Sequence, residues 1–116
     1  MQRVYYVAGP MRYVPEFNFP AFIAKTAELR AVGHQVFNPA ERDLENGFDP
    51  TGLKGTDEEL RQHGFDLREA LAVDLSFICR EATHLYMLPG WSRSSGARAE
   101  WSTALALGLT IEGAAS

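Results

Sequence analysis

The chain has 116 residues, 46% apolar and 22% charged, with a net charge of −4 at neutral pH. This is the composition of one ordinary globular domain with a modest core. The acidic balance argues against a nucleic-acid polymer as partner but leaves room for a small phosphorylated ligand at a locally positive site.

Val4-Tyr-Tyr-Val-Ala8 is a short β-branched and aromatic run closed by Gly9-Pro10, the pattern of a buried strand. Pro15 and Pro20 bracket a loop that leads into a helix over 19–31, with Phe22, Ile23, Ala27 and Leu29 expected inward and Gly33 as its stop. Gln35 to Asn38 reads as a second strand, closed by Pro39. Residues 40–64 carry seven acidic side chains between glycines and read as a long loop with one short helix near 57–62. Loops of that length in small domains tend to be functional or mobile, so 43–64 is a candidate lid, with a solvated insertion as the equal alternative.

Asp66 is placed to cap a helix that runs to about Arg80, with Leu67, Leu71, Leu75 and Ile78 as its inward stripe. Asp74 falls on the rim of that stripe, where a carboxylate needs a partner. It is either paired structurally or part of a site. His84 to Leu88 is the third strand. It leads through a Gly- and Ser-rich loop, containing Trp91, into a helix that starts near Ser94 or Ser95. A helix N-terminus suits an anion, and Gly96 allows close approach to the backbone. Glu100, one turn on, sits at the edge of the apolar helix face. The bland readings are a plain cap and a dipole-complementing Glu. Leu109 to Ile111 is a fourth short strand, and residues 112–116 are expected to fray.

Alternating strands and helices predict one α/β domain over 1–116. It would be a small three-layer, flavodoxin- or Rossmann-like sandwich with a parallel sheet of four to five strands and the first strand central. Ligands of such sheets bind outside the carboxyl ends of the strands. Three segments converge there: Gly9 to Arg12, Asn38 to Glu41, and Pro89 to Glu100.

Three stretches, Tyr6-Val-Ala-Gly-Pro-Met-Arg12, Asp74-Leu75 and Ser94-Ser-Gly-Ala-Arg-Ala-Glu100, together resemble the nucleoside 2-deoxyribosyltransferase superfamily. Within it the pattern is similar to the 2′-deoxynucleoside 5′-phosphate N-hydrolases and to related small phage and bacterial domains. The resemblance is weakest over 43–64. It implies Glu100 as catalytic nucleophile, Asp74 in the sugar site or in catalysis, and Tyr6 beside the nucleophile. It implies that Arg12 and Ser94 hold a 5′-phosphate. Gly9, Ser95 and Gly96 complete that seat, and Asn38 and Trp91 are further binding candidates; Trp91 and Phe48 are candidate stacking surfaces for a base, with packing in an interface the equal alternative for Trp91. Three features depart from the family pattern. Pro10 stands where the phosphohydrolases have Ser, Arg98 lies outside their pattern, and the C-terminal segment that lends a residue to a neighbouring subunit is short.

The expected activity is hydrolysis of the N-glycosidic bond of a nucleotide, without metal or cofactor. Deoxyribosyl transfer to another base is a variant of it. Cleavage of a dinucleotide such as NAD shares the glutamate chemistry, and a non-catalytic nucleotide-binding or sensing domain is the reading from another class. The family resemblance implies a homodimer or larger homo-oligomer. A cytoplasmic location is expected from the absence of a signal-peptide pattern, from the lone Cys79, and from the lack of an apolar run long enough to span a bilayer.

Overall fold

The computed structural model describes residues 2–116. β1 (Val4–Ala8) is followed by a 3-10 turn over Pro15–Asn18, α1 (Phe19–Ala31), β2 (Gln35–Phe37), α2 (Pro39–Glu45) and α3 (Asp57–Gln62). Then come α4 (Leu67–Arg80), β3 (His84–Met87), α5 (Ser95–Leu107) and β4 (Thr110–Gly113). The four strands form one parallel sheet in the order β2-β1-β3-β4. Consecutive parallel strands need crossover connections, and each one here carries at least one helix. The first strand is central, as its unbroken apolar sequence requires: Tyr5 to Ala8 are all buried.

Strand alternation divides the core between two faces. Tyr6, Ala8, Leu85 and Met87 pack with Ile78 of α4 and Ala97 and Ala104 of α5. Val7 and Leu88 pack with Phe19 and Phe22 of α1 and Ala40 of α2. At the upper end of β1, Gly9 meets β3 so closely that a Cβ there would lie 2.7 Å from Leu88 Cβ. Both long helices on the first face are capped where the sequence places them. Asp66 Oδ1 accepts from Glu69 N–H at 3.0 Å, and Ser94 Oγ from Ala97 N–H at 3.2 Å.

Several expectations are corrected. Residues 40–64 hold a second helix besides the expected one near 57–62, because Asn38 Oδ1 accepts from Ala40 N–H at 2.9 Å and starts α2 at Pro39. Proline suits a first helical position, where its missing donor costs nothing. In α1 the buried residues are Phe19, Phe22 and Thr26, whereas Ile23 and Ala27 face solvent. Leu67 at the start of α4 is half exposed. The C-terminal residues pack: Ala114 N–H donates to Met87 O at 2.9 Å, and Gly90 N–H to Ser116 O at 3.0 Å. They continue the β3–β4 ladder, so their backbone groups have partners. No helix among the described residues is long and apolar enough to cross a membrane.

The link from β1 to α1 is strained. Glu16, Phe17 and Asn18 are consecutive non-glycine residues with φ of 55°, 53° and 63°. Each costs roughly 1–2 kcal/mol relative to right-handed backbone. The conformation is held from outside. Asn18 Nδ2 donates to Pro10 O at 2.9 Å, Glu16 N–H to Leu53 O at 2.8 Å, and Tyr13 N–H to Gly55 O at 2.7 Å. The segment before α3 is thereby clasped to the segment before α1. Gly55 has φ +94°, and a Cβ there would lie 2.4 Å from Val14 O, whereas Gly52, at φ +77°, faces open space.

Gly52→Ala should therefore cost only its backbone strain, about 1 kcal/mol. Gly55→Ala should cost that plus about 1–3 kcal/mol for the clash. Thermal unfolding of the two variants checks the difference. Equal midpoints would show that the clasp contributes nothing to stability.

Candidate active site

The carboxyl ends of β1, β2 and β3 open into one cavity. Its floor is built from β1, α4 and α5. Glu100 lies on the inward face of α5 with Ala97 and Ala104 and is 7% exposed. The Tyr6 hydroxyl, fully buried on β1, donates to Glu100 Oε2 at 2.6 Å. Burial pushes the Glu100 carboxyl up to about 8, with the Tyr6 bond opposing and the charge of Asp74 adding. Burial and the two neighbouring carboxylates hold the Tyr6 phenol well above its ordinary value.

Asp74 is the one carboxylate on the inward stripe of α4. Its Oδ1 accepts from Arg42 Nη1 at 2.7 Å. Arg42 also donates from Nε to Asp43 Oδ1 at 3.0 Å, so one guanidinium from α2 serves two carboxylates. Burial raises Asp74 above the usual carboxylate range against the pull of Arg42. Burial likewise pushes Asp43 up to about 6, again with Arg42 opposing. A cluster of three buried carboxyls and one guanidinium is costly to assemble, and groups perturbed in this way gather at functional sites.

At the mouth, Arg12 Nη2 donates to Ser95 Oγ at 3.0 Å and Nη1 to Asp57 Oδ1 at 3.4 Å. Asp57 also accepts from the Tyr13 hydroxyl at 2.7 Å. Arg12 thus joins the start of α3 to the start of α5 across the opening. In the first turn of α5, the N–H groups of Ser95 and Gly96 have no acceptor within the helix. Gly96 has ordinary helical backbone, and a Cβ there would meet only Ser94 Oγ, at 4.0 Å. Neither packing nor φ demands glycine at 96; its effect is to leave room in the cavity beside the helix N-terminus. The remaining wall is apolar and aromatic, from Phe17, Phe19 and Phe22 around α1 and Phe48 and Phe65 around α3. Phe48 contacts Phe17 and Phe65 edge-on, with ring centroids 5.5 and 5.3 Å apart.

Of the residues singled out in the sequence, Tyr6, Gly9, Arg12, Asp74, Ser94, Gly96 and Glu100 line this one cavity. Ser95 reaches it through Arg12. Two do not contribute to its lining. Asn38 is 3% exposed and its Oδ1 caps α2, with Nδ2 left without a hydrogen-bond partner in the protein. Trp91 is 8% exposed, stacks on Trp101 at 5.4 Å, and donates its indole N–H to Ala114 O at 2.9 Å. The stacking role expected of Trp91 is therefore corrected: its amphipathic ring docks the C-terminal residues, while Phe48 does face the cavity. Sequence reasoning missed Arg42 and Asp43. The Asn38-Pro39 start signal, with Glu41 in the first turn, would have revealed α2 and hence the helix that carries them. Among the described residues no three His, Cys, Asp or Glu side chains are grouped to hold a metal ion.

Fold and cavity define a parallel α/β protein with a carboxylate-floored pocket outside the strand ends. A protein-family model described as "Domain of unknown function (DUF4406)" matches residues 3–112, and the chain belongs to that family. No curated protein matches it.

The raised carboxyl has a consequence for stability. Between about pH 4.5 and 8 the folded protein holds a proton on Glu100 that the unfolded chain lacks. Stability from this group is therefore greatest at low pH and is lost as pH rises toward 8. Asp43 acts in the same sense up to about pH 6. Glu100→Gln should remove the Glu100 contribution, so its melting temperature should gain on the native protein's from pH 5 to pH 8.5. Parallel curves for the two proteins would contradict the buried, protonated Glu100.

Proposed function

We propose that the protein hydrolyses the N-glycosidic bond of a nucleotide, a 2′-deoxynucleoside 5′-monophosphate, with Glu100 as nucleophile. The observation that carries this reading is the placement of Glu100. It is buried, oriented by Tyr6, and one helical turn below an open, glycine-lined helix N-terminus flanked by Arg12. The motif resemblance to nucleoside 2-deoxyribosyltransferases supports the same residues in the same roles.

The chemistry runs from phosphate to base. Arg12, with the backbone of Ser95 and Gly96, binds the 5′-phosphate, and exchanging Asp57 for phosphate frees one side of the guanidinium. Binding energy gained there orients the sugar over Glu100 without being part of the bond change. The Glu100 carboxylate attacks C1′ as the bond to the base breaks, and water then releases the sugar phosphate in a second displacement. Positive charge develops on the sugar in both steps, and a carboxylate beneath it in a poorly hydrated pocket stabilises that charge. Asp74, ion-paired to Arg42, accepts a hydrogen bond from a sugar hydroxyl. The aromatic wall takes the flat face of the base. In this reading the protein works in the cytoplasm as a homodimer or larger assembly, for which exposed Leu105 and Leu107 of α5 offer apolar surface.

A panel of nucleosides, 5′-monophosphates and NAD, scored for free base by chromatography, tests the activity. Monophosphates should be the best substrates. Glu100→Gln should lose several orders of magnitude in turnover while still binding nucleotide. Full activity in that variant would remove Glu100 from the mechanism, and release of base from none of the compounds would return the protein to the non-catalytic binding class. Arg12→Ala should weaken monophosphates by about 1.5–3 kcal/mol, typical of a charge-assisted hydrogen bond, and nucleosides far less. Equal losses on both would show that Arg12 does not bind phosphate.

A further inference from the structure

We propose that Asp43, rather than Asp74, is the acid that protonates the departing base. This rests on the glycosidic reading of the cavity. Asp43 is 4% exposed, lines the same cavity as Glu100, and its side chain has a single hydrogen bond, Arg42 Nε to Oδ1 at 3.0 Å. The other oxygen, Oδ2, is left for a proton and a ligand.

The three carboxyls have an order. α5 and its Glu100 follow β3 on one side of β1, and α2 with Asp43 follows β2 on the other. Asp74 shares the Arg42 guanidinium with Asp43 and lines the cavity with Glu100. The phosphate seat, at Arg12 and Gly96, is at the Glu100 end. A nucleotide whose phosphate sits there and whose C1′ lies over Glu100 therefore points its base toward Asp43. Phe48 and Phe65 line the cavity there as well, and Phe48 is tied to Asp43 by a backbone bond, Phe48 N–H to Asp43 O at 3.0 Å. Arg42 holds the charged form of Asp74 more strongly than that of Asp43, with bonds of 2.7 Å and 3.0 Å.

In the first step a Glu100 oxygen bonds to C1′ and the C1′–N pair of electrons passes to the base. The Asp43 O–H proton passes to a ring nitrogen or exocyclic oxygen of that base. In the second, water attacks C1′, the C1′–Glu100 bond breaks to restore the carboxylate, and the water proton returns to Asp43. The sum is addition of one water across the glycosidic bond.

The resting pair holds its proton the other way round, since Glu100 is pushed up to about 8 and Asp43 only to about 6. The titratable and charged groups around Asp43 are Arg42 on its own helix, Asp74 and Glu69 of α4, Asp66 at the cap of α4, and His63 after α3. Burial pushes Asp43 up to about 6, with Arg42 opposing and the charge of Asp74 adding, so it carries a proton within reach of neutral pH. The productive form has Glu100 ionised and Asp43 neutral. A bound nucleotide shifts the pair that way, because it displaces water from Asp43 while the developing charge at C1′ favours the Glu100 carboxylate.

The test compares two substrates, an ordinary purine 5′-monophosphate and its 7-methylpurine analogue. The second has a cationic base that leaves without a proton. Asp43→Asn should lose about 100- to 10,000-fold on the ordinary substrate, the range of general acid catalysis, and no more than about tenfold on the methylated one. Glu100→Gln should lose both. In the native protein, kcat/KM should fall above about pH 8 for the ordinary substrate only, a comparison that needs no variant. Equal losses on both substrates in Asp43→Asn, or the same high-pH fall for both in the native protein, would overturn the assignment and leave Asp43 a support for Arg42. Undiminished activity of Asp43→Asn on the ordinary substrate would overturn it too. Activity retained in Glu100→Gln would instead overturn Glu100 as the nucleophile, and release of base from neither substrate by the native protein would overturn the glycosidic reading itself.

Discussion

Burying Glu100 is unfavourable, and the site is arranged around that cost. A carboxyl in this position is charged more readily if something donates to it, and among the described residues the Tyr6 hydroxyl does so at 2.6 Å. Tyr6 comes from the centre of the sheet and Glu100 from the last helix, so the bond ties the first strand to α5 across the core. It also fixes which way the carboxylate points, toward the open end of the strands. The register of β1 places Tyr6 on the α4–α5 face, and a one-residue slip would turn its side chain to the opposite face.

Around this bond the polar groups are graded. Glu100 has only a neutral hydrogen-bond donor and is held highest, near 8, while Asp43 shares one guanidinium with Asp74 and is held near 6. The proposed roles therefore need the proton to sit on Asp43 rather than Glu100 once substrate is bound, an arrangement that positive charge developing at C1′ favours. Arg12 stands away from this cluster, at the mouth, where its partners are a serine and a half-exposed aspartate. The fold separates the anion-binding end from the carboxyl cluster by one turn of α5, about 5 Å. That is a fitting span between a 5′-phosphate and C1′ of the same sugar.

Much of this was legible in the sequence, for physical reasons. Short apolar runs ended by Gly or Pro marked the strands, and their alternation with helices set the parallel order. Asp74 and Glu100 stood out because a carboxylate on an apolar helix face needs explanation. What stayed hidden depends on contacts far apart in the chain. Phe17 enters the cavity wall through left-handed backbone that residues 52–55 enforce, and no local propensity of Glu16-Phe-Asn18 signals it. Trp91 looked like a stacking surface because its loop flanks the site; its actual partners, Trp101 and Ala114, lie later in the chain. Ile23 has the right spacing for an inward residue, yet α1 presents Phe19, Phe22 and Thr26 to the sheet instead. The acidity of 40–64 suggested a solvated loop, but its Asp43 is buried against Arg42 and its Phe48 closes the aromatic wall.

Covalent bonding between Glu100 and the sugar is the central claim, and trapping it is the most direct test. A 2′-fluoro-arabino nucleotide with a good leaving base has an electron-withdrawing group beside C1′, which slows the second displacement more than the first. Incubated with the protein and analysed by mass spectrometry of its peptides, it should leave one sugar phosphate on the peptide that contains Glu100, and none in Glu100→Gln. Release of free base with no adduct, or an adduct on Asp74 or Asp43, would contradict the account.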